Sequence, residues 1–418
     1  LGLSWPGKSS KMVWTTRLRR LAVIAGVPCL FAVIASLLSE SPGWVLASLA
    51  GLPLLIDVSL AVAGPLEKVL GEKWVTRAEA KLKASGARVV AITGSYGKTT
   101  TKAYLAHLLA GKMPVVVSPG SFNNRMGLAR AINEQLTPGT AVFVAEMGTY
   151  GPREIAELCR FVPPEVSVIT ALGPVHLERF GSEEAILEAK REILDGAKVS
   201  VVSVDHPLLA ALAERQANRG PVVRCSGIIN TADVAVIDGR VRINGRQIGE
   251  VGGEVFASNL ACAVAVALYL GVLESEISER LADLPIAPHR RQITRSEGGL
   301  VVIDDTYNSN PAGAQLALRT LMTAGASGRK VVVTPGMVEM GRIQFEENRK
   351  LATQIAVTAT DLVVVGKTNR LALLEGSVGG AAVVTVVESR PEAVEWVRSH
   401  LRPGDAVLYE NDLPDHYP

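Results

Sequence analysis

The chain has 418 residues, enough for two or three domains, and a net charge of +2 that gives no support for a nucleic-acid partner. Hydrophobic residues make up 48% and mean hydropathy is +0.26, more than a soluble protein of this size needs. Four scattered cysteines, Cys29, Cys159, Cys225 and Cys262, form no C-x-x-C pair, so metal-ribbon and disulfide readings lack support and a reducing cytosol fits.

The excess apolarity is local. Residues 21–38 form an uncharged run, and 44–64 form a second run whose one charge is Asp57. At about 1.5 Å per residue each run spans roughly 27–32 Å, one hydrocarbon core. A cleaved signal peptide or a buried core helix would also begin with such a run. No A-x-A site precedes a polar start, however, and the second run follows after only the turn SESPG. A two-span transmembrane hairpin is therefore expected. Lys8, Lys11, Arg17, Arg19 and Arg20 precede it, and Lys68, Lys73, Arg77, Lys81 and Lys83 follow it, whereas the turn carries no Lys or Arg. Both ends are thus expected on the cytoplasmic side of the membrane, with everything after the hairpin in the cytoplasm. Asp57 inside a span requires pairing, water or a proton. Residues 67–86 carry both signs and read as a solvated, helical linker.

From residue 89 the chain reads VVAITGSYGKTTT, a β-branched strand run leading into a Gly-flanked turn and a helical pattern. Those residue types in that order suit a polyphosphate and its Mg²⁺. Gly94 and Gly97 let the backbone turn tightly, Lys98 adds a point charge, and the Thr99 hydroxyl is a metal ligand. Position 92 is Ile where the common P-loop has Gly, so this is a shortened form, G-x-x-G-K-T.

Beyond it, strand patterns at 141–146, 166–170 and 199–204 alternate with helical patterns at 100–110, 153–159 and 183–195, the signature of a largely parallel sheet. Residues 221–254 have short alternating runs between Gly turns and read as a β-rich edge. The 13-residue Ala-rich run at 259–271 is too short to span and reads as a core helix. A second α/β unit follows, with strands at 300–304, 330–334, 362–365, 382–387 and 406–409. The expected fold class is α/β: a transmembrane hairpin and linker (1–85), a P-loop-containing central domain (86–284), and a smaller Rossmann-like C-terminal domain (285–418).

Four further segments carry chemistry. Glu146 ends a strand at the sheet edge where ligands sit, and is placed to hold Mg²⁺ opposite Thr99; the alternative is a capping or surface Glu. His176 follows a strand and Lys190 lies on the next helix, each an ordinary structural residue when taken alone. Asn123 and Asn124 offer amides to a polar substrate, or simply make a turn. Asp304, Asp305, Tyr307, Asn308 and Asn310 stand at a strand end, suited to a ribose or amino acid, or to capping the helix near Pro311.

Together ITGSYGKTTTK, SFNNRMGL, AEMGTYGPREI, HLERFGSEEAILEAKREI and IDDTYNSNP resemble the Mur ligase family, most closely its MurF type, over roughly residues 86–370. The resemblance implies an ATP-dependent ligase that converts a carboxylate to an acyl phosphate and then to an amide, on a cell-wall precursor. By the family pattern Gly94, Ser95, Tyr96, Gly97, Lys98, Thr99 and Thr100 bind the triphosphate, and Thr99 and Glu146 hold Mg²⁺. His176 matches a ligand of a second Mg²⁺, and Lys190 a lysine that is carbamylated in these ligases. Asn259 matches a residue near the adenine, and Arg290 or Arg291 with Asp305 match C-terminal contacts to the nucleotide. Lys98, Glu146, His176 and Lys190 form the implied catalytic set.

The chain departs from the pattern in three places. A hairpin stands where the family has a UDP-sugar domain. Val255-Phe256 replaces a His-Asn pair, and GDAVLYENDLPDHYP replaces a Lys-Gly-Ser ending. Two other readings compete: a poly-γ-glutamate synthetase-like ligase, and a nucleotide-binding membrane scaffold without catalysis.

Overall fold

The computed structural model describes residues 14–120, 122–253, 255–285, 291–296, 298–307, 310–324 and 327–413. It divides into two compact units, residues 1–81 and 82–418.

In the first unit α1 (Thr16–Leu38) is one unbroken 23-residue helix. Thr15 starts it, its hydroxyl accepting from the Leu18 N–H at 3.2 Å. The second apolar run is not the single span expected over 44–64. It divides into α2 (Gly43–Ala50) and α3 (Leu52–Ser85), bent by 67°. Pro53 accounts for the break: it has no N–H to offer the Leu49 carbonyl, and its ring crowds that carbonyl. α3 then continues for 34 residues through the charged stretch expected to be a linker. Arg20 donates to both carboxylate oxygens of Glu67, at 2.6 and 2.9 Å, fastening α1 to α3. Phe31, Leu37, Leu38, Trp44 and Leu54 all face outward. Among the described residues α1 is long and apolar enough to cross a membrane, and α2 with α3 passes the same test only as one bent span.

The second unit holds two sheets. The larger has nine strands: β1 (Arg88–Thr93), β2 (Val115–Val117), β3 (Val142–Glu146), β4 (Val166–Ile169), β5 (Val199–Ser203), β6 (Val222–Ser226), β7 (Val234–Ile237), β8 (Arg240–Ile243) and β9 (Arg246–Glu250). Their order is β2-β3-β1-β4-β5-β6-β7-β8-β9. Pairing is parallel from β2 to β7, and antiparallel from β7 to β9, which is the β-rich edge expected at 221–254. β1 lies inside the sheet with both faces covered, which is why it is a continuous apolar run rather than an alternating one.

Helices α4 (Lys98–Leu109), α5 (Arg125–Gln135), α6 (Glu154–Phe161), α7 (Leu177–Phe180), α8 (Glu183–Arg191), α9 (Pro207–Ala217), α10 (Ala257–Tyr269) and α11 (Glu274–Arg280) accompany this sheet. The helix expected at 183–195 gives way to a tighter turn, Glu192–Leu194, after Arg191. α10 is the core helix expected from its composition: every residue from Asn259 to Ala267 is buried, and its side chains share one core with Leu105 and Leu108 of α4 and Val90 and Ile92 of β1.

The smaller sheet contains β10 (Gln292–Arg295), β11 (Val301–Asp305), β12 (Lys330–Thr334), β13 (Asp361–Val365), β14 (Val383–Val387) and β15 (Ala406–Glu410), in the order β10-β11-β15-β12-β13-β14. All pairs are parallel except β10–β11. α12 (Pro311–Thr323), α13 (Gln344–Thr358) and α14 (Arg370–Ser377) share one core with the sheet, and α15 (Arg390–His400) shares another. The expected α/β class, with a P-loop-type turn in the larger sheet, is what the chain adopts.

Candidate active site

The carboxyl ends of β1 and β3 place the candidate site. The turn after β1 requires its glycines. Gly97 has φ 85°, and a Cβ there would lie 2.3 Å from the Asn259 side-chain oxygen. A Cβ at Gly94 would lie 2.1 Å from the Thr170 hydroxyl. The turn is fixed to the segment after β4: Ser95 N–H donates to Ala171 O at 2.8 Å, Thr170 Oγ1 to Tyr96 O at 2.6 Å, and Tyr96 Oη to Leu172 O at 3.0 Å. Ser95 Oγ donates to Gly173 O at 3.2 Å. The side chains of Ser95 and Tyr96, and the Ser95 N–H, therefore brace the turn. Thr100 is buried beneath it.

Lys98 folds back over the turn, Nζ donating to Gly94 O at 2.8 Å. Thr99 Oγ1 donates to Glu146 Oε2 at 3.1 Å, so the Thr–Glu pair expected from the sequence is in place. The same Oε2 also accepts from Lys102 Nζ at 2.9 Å, and Lys102 further donates to Ser118 O at 2.7 Å. The sequence reading missed Lys102. Its signal was available: it lies three residues after Thr99 on α4, hence on the same helix face. A hydroxyl and a carboxylate at one spot are hard oxygen donors of the kind Mg²⁺ takes, so this pair fits that ion.

Lys190, on α8, is buried, and among the described residues it has no hydrogen-bond or ion-pair partner. Burial, with Lys98 adding like-charge repulsion, holds its amine well below the usual lysine range. His176 stands at the start of α7. Its Nδ1 pairs with Glu339, from the loop after β12, and its ring meets Tyr150 edge-on at 5.2 Å. Among the described residues no three His, Cys, Asp or Glu side chains converge as a metal set.

Asn259 lies against Gly97 as described. Arg291 is buried with its guanidinium 4.3 Å from the Phe256 ring centre, and its N–H donates to Asp305 Oδ1 at 3.1 Å. This joins the end of β11 to the start of α10. Arg290 and Asn308 lie outside the described residues.

The amide-rich segments divide. Asn124 and Asn310 take the local role the sequence left open: their side-chain oxygens cap α5 and α12, accepting from Gly127 N at 2.9 Å and Gly313 N at 3.0 Å. Both therefore serve as helix caps. Asn123 packs on Gly148, where a Cβ would lie 2.9 Å from its amide carbon. Tyr307 is exposed. A cleft of about 510 Å³ opens nearby, lined by Tyr96, Pro174, Leu177, Glu183, Pro311 and Ile343, and so by both α/β halves.

Comparison with known proteins agrees with this geometry. The Mur ligase middle domain matches residues 92–267, and the Mur ligase glutamate ligase domain matches residues 289–409. The UDP-N-acetylmuramoyl-tripeptide–D-alanyl-D-alanine ligase of Mycobacterium tuberculosis is 33% identical over 374 residues, covering 80% of this chain and 72% of that protein. The Bacillus subtilis enzyme of the same name is 26% identical over 358 residues, covering 80% and 75%. The MurF ligase of Thermotoga maritima, solved in complex with ADP, superposes with a TM-score of 0.69 at 26% identity, covering 82% of this chain and 80% of that one.

Proposed function

The chain belongs to the Mur ligase family, and from that premise we propose that it joins D-alanyl-D-alanine to a UDP-linked muramoyl tripeptide. It is an ATP-dependent ligase that forms an amide bond by way of an acyl phosphate in cell-wall synthesis. This reading is favoured over a poly-γ-glutamate synthetase-like ligase and over a scaffold.

The observation that carries the reading is the convergence of Thr99, Lys102 and Glu146 beside the 94–99 turn, with Lys98 folded over it. A carboxylate and a triphosphate are both anions, and their approach must be offset by fixed positive charge. Lys98 would leave the carbonyl of Gly94 to meet the outer phosphates, while Thr99 and Glu146 would hold Mg²⁺. When bound, that ion neutralises charge on the transferring phosphoryl group. Lys102 keeps Glu146 aimed at the site.

The substrate carboxylate oxygen attacks the γ-phosphorus and ADP leaves. The amine then attacks the acyl carbon, phosphate departs, and the nitrogen loses a proton. Burial near Lys98, with no carboxylate partner among the described residues, favours carbamylation of Lys190, which would convert a second cation into an anion. His176 reaches the site once released from Glu339. Arg291, Asp305 and Asn259 would flank the adenosine.

The first unit anchors the ligase to the cytoplasmic membrane with both ends of the hairpin inside. The test is purified full-length chain with ATP, Mg²⁺, UDP-muramoyl tripeptide and D-alanyl-D-alanine. Amide product is expected, at a rate lowered by ~10²-fold or more in Lys98→Ala. Turnover of ATP with glutamate alone, or product unchanged in Lys98→Ala, would overturn the assignment.

A further inference from the structure

Glu410 ends β15, the strand between β11 and β12 in the smaller sheet, and is fully buried. Its Oε2 accepts from Thr334 Oγ1, at the end of β12, at 2.7 Å. Its Oε1 is buried and, among the described residues, has no hydrogen-bond partner. A buried carboxylate oxygen left without a donor is destabilising by about 1–3 kcal/mol and needs a physical reason.

Position supplies the reason. In open parallel sheets ligands bind outside the carboxyl ends of the strands. Here two contacts show what that edge faces. On one side of β15, Asp305 at the end of β11 holds Arg291, whose guanidinium lies on Phe256 at the start of α10. On the other side, the loop after β12 carries Glu339 to His176. Glu410 sits between these two bridges, paired in register with Asp305. Its edge therefore turns toward the half of the molecule that holds the phosphate turn. The neighbouring strand ends are tied together around the buried carboxylate: Asn411 Nδ2 donates to Gly336 O at 2.6 Å and Asn411 N to Asp305 O at 3.1 Å.

We propose that Glu410 receives the incoming amine, its unpartnered Oε1 taking the ammonium and then one of its protons. This rests on the ligase reading above. An ammonium has no lone pair with which to attack. One proton passes from R–NH₃⁺ to the Glu410 carboxylate, leaving R–NH₂ and a neutral Glu410. The nitrogen lone pair then forms the bond to the acyl carbon of the acyl phosphate, and the carbon–oxygen bond to phosphate breaks with its electrons on the leaving phosphate. The second nitrogen proton is lost to that phosphate or to water. Burial, with the Asp305 carboxylate alongside, raises the Glu410 carboxyl to about 8, so its anion forms as pH nears that value and is then an effective proton acceptor.

Hydroxylamine tests this, because it is neutral near pH 7 and captures acyl phosphates without giving up a proton first. Full-length Glu410→Gln and Glu410→Asp are compared with wild type, with ATP, Mg²⁺ and UDP-muramoyl tripeptide, and either D-alanyl-D-alanine or hydroxylamine as the nucleophile. Glu410→Gln is expected to lose amide formation by ~10²–10⁴-fold while still producing hydroxamate near the wild-type rate. Glu410→Asp, with its carboxylate drawn back by one methylene, shows the same imbalance in weaker form, and is the deciding variant if Glu410→Gln does not fold. Equal loss of both products, or loss of neither, overturns the proposal. Absence of hydroxamate in the wild type would instead bring down the ligase reading itself.

Discussion

Lys102 and Glu146 form a buried ion pair at 2.9 Å, with side chains only 6% and 4% exposed. Such a pair adds little net stability compared with apolar residues, but removing one member strands a charge away from water. Lys102→Met is therefore expected to destabilise the fold by about 3–5 kcal/mol, and Lys102→Met with Glu146→Gln by less than the sum of the two single changes. Denaturant unfolding of the four proteins checks this; strict additivity would mean the two side chains do not interact.

Gly97 has φ 85° and lies against Asn259, so Gly97→Ala combines backbone strain with a side-chain collision. Strain of this kind costs about 1–3 kcal/mol, which is expected to weaken ATP binding by roughly 10- to 100-fold in a calorimetric titration. Gly86→Ala is the control: its φ is 66°, but a Cβ there meets nothing within 4 Å. If both substitutions leave affinity unchanged, the turn does not hold nucleotide.

The Glu410 carboxyl lies at about 8 in the folded chain against an ordinary 4.5, raised by burial first and by Asp305, with the Thr334 hydroxyl opposing. Between those two values the folded state holds a proton that the unfolded state has released. Stability is then lost as pH rises through that window, by a few kcal/mol at most. Thermal melts from about pH 5 to 8 should show a declining Tm that Glu410→Gln flattens. Identical pH dependence in the two proteins would show that Glu410 does not carry the extra proton.

The turn between α1 and α2 is expected to face away from the cytoplasm. Ser41→Cys should react with a membrane-impermeant maleimide in intact cells, and Ser85→Cys, at the end of α3, only after lysis. Labelling of both, or of Ser85→Cys alone, would reject the hairpin topology.

What could be read from sequence was local. The β1 run, the Gly94–Thr99 turn and α10 each state their structure within a dozen residues, because strand burial, glycine geometry and helix packing act at short range. The roles of Asn124 and Asn310 were also local, but two uses compete for one amide, and a cap three residues away is satisfied first. Pro53 was visible too, yet the apolar composition of 44–64 outweighed it.

The contacts that were not legible join distant segments. Lys102 meets Ser118 and Glu146, 16 and 44 residues away, and His176 meets Glu339, 163 residues away. β2 and β10, three and four residues long, are too short to carry a periodic pattern. Nothing in the spacing of Glu410 marks it; only the sheet order, which inserts β15 between β11 and β12, brings it beside Asp305 and Thr334.

The central claim is that a carboxylate is phosphorylated at the turn between β1 and α4. The direct measurement uses UDP-muramoyl tripeptide labelled with ¹⁸O in its terminal carboxylate, with ATP, Mg²⁺ and D-alanyl-D-alanine, and follows the label by mass spectrometry. The account predicts that each amide formed releases one phosphate carrying one ¹⁸O. Amide formation with unlabelled phosphate would contradict it.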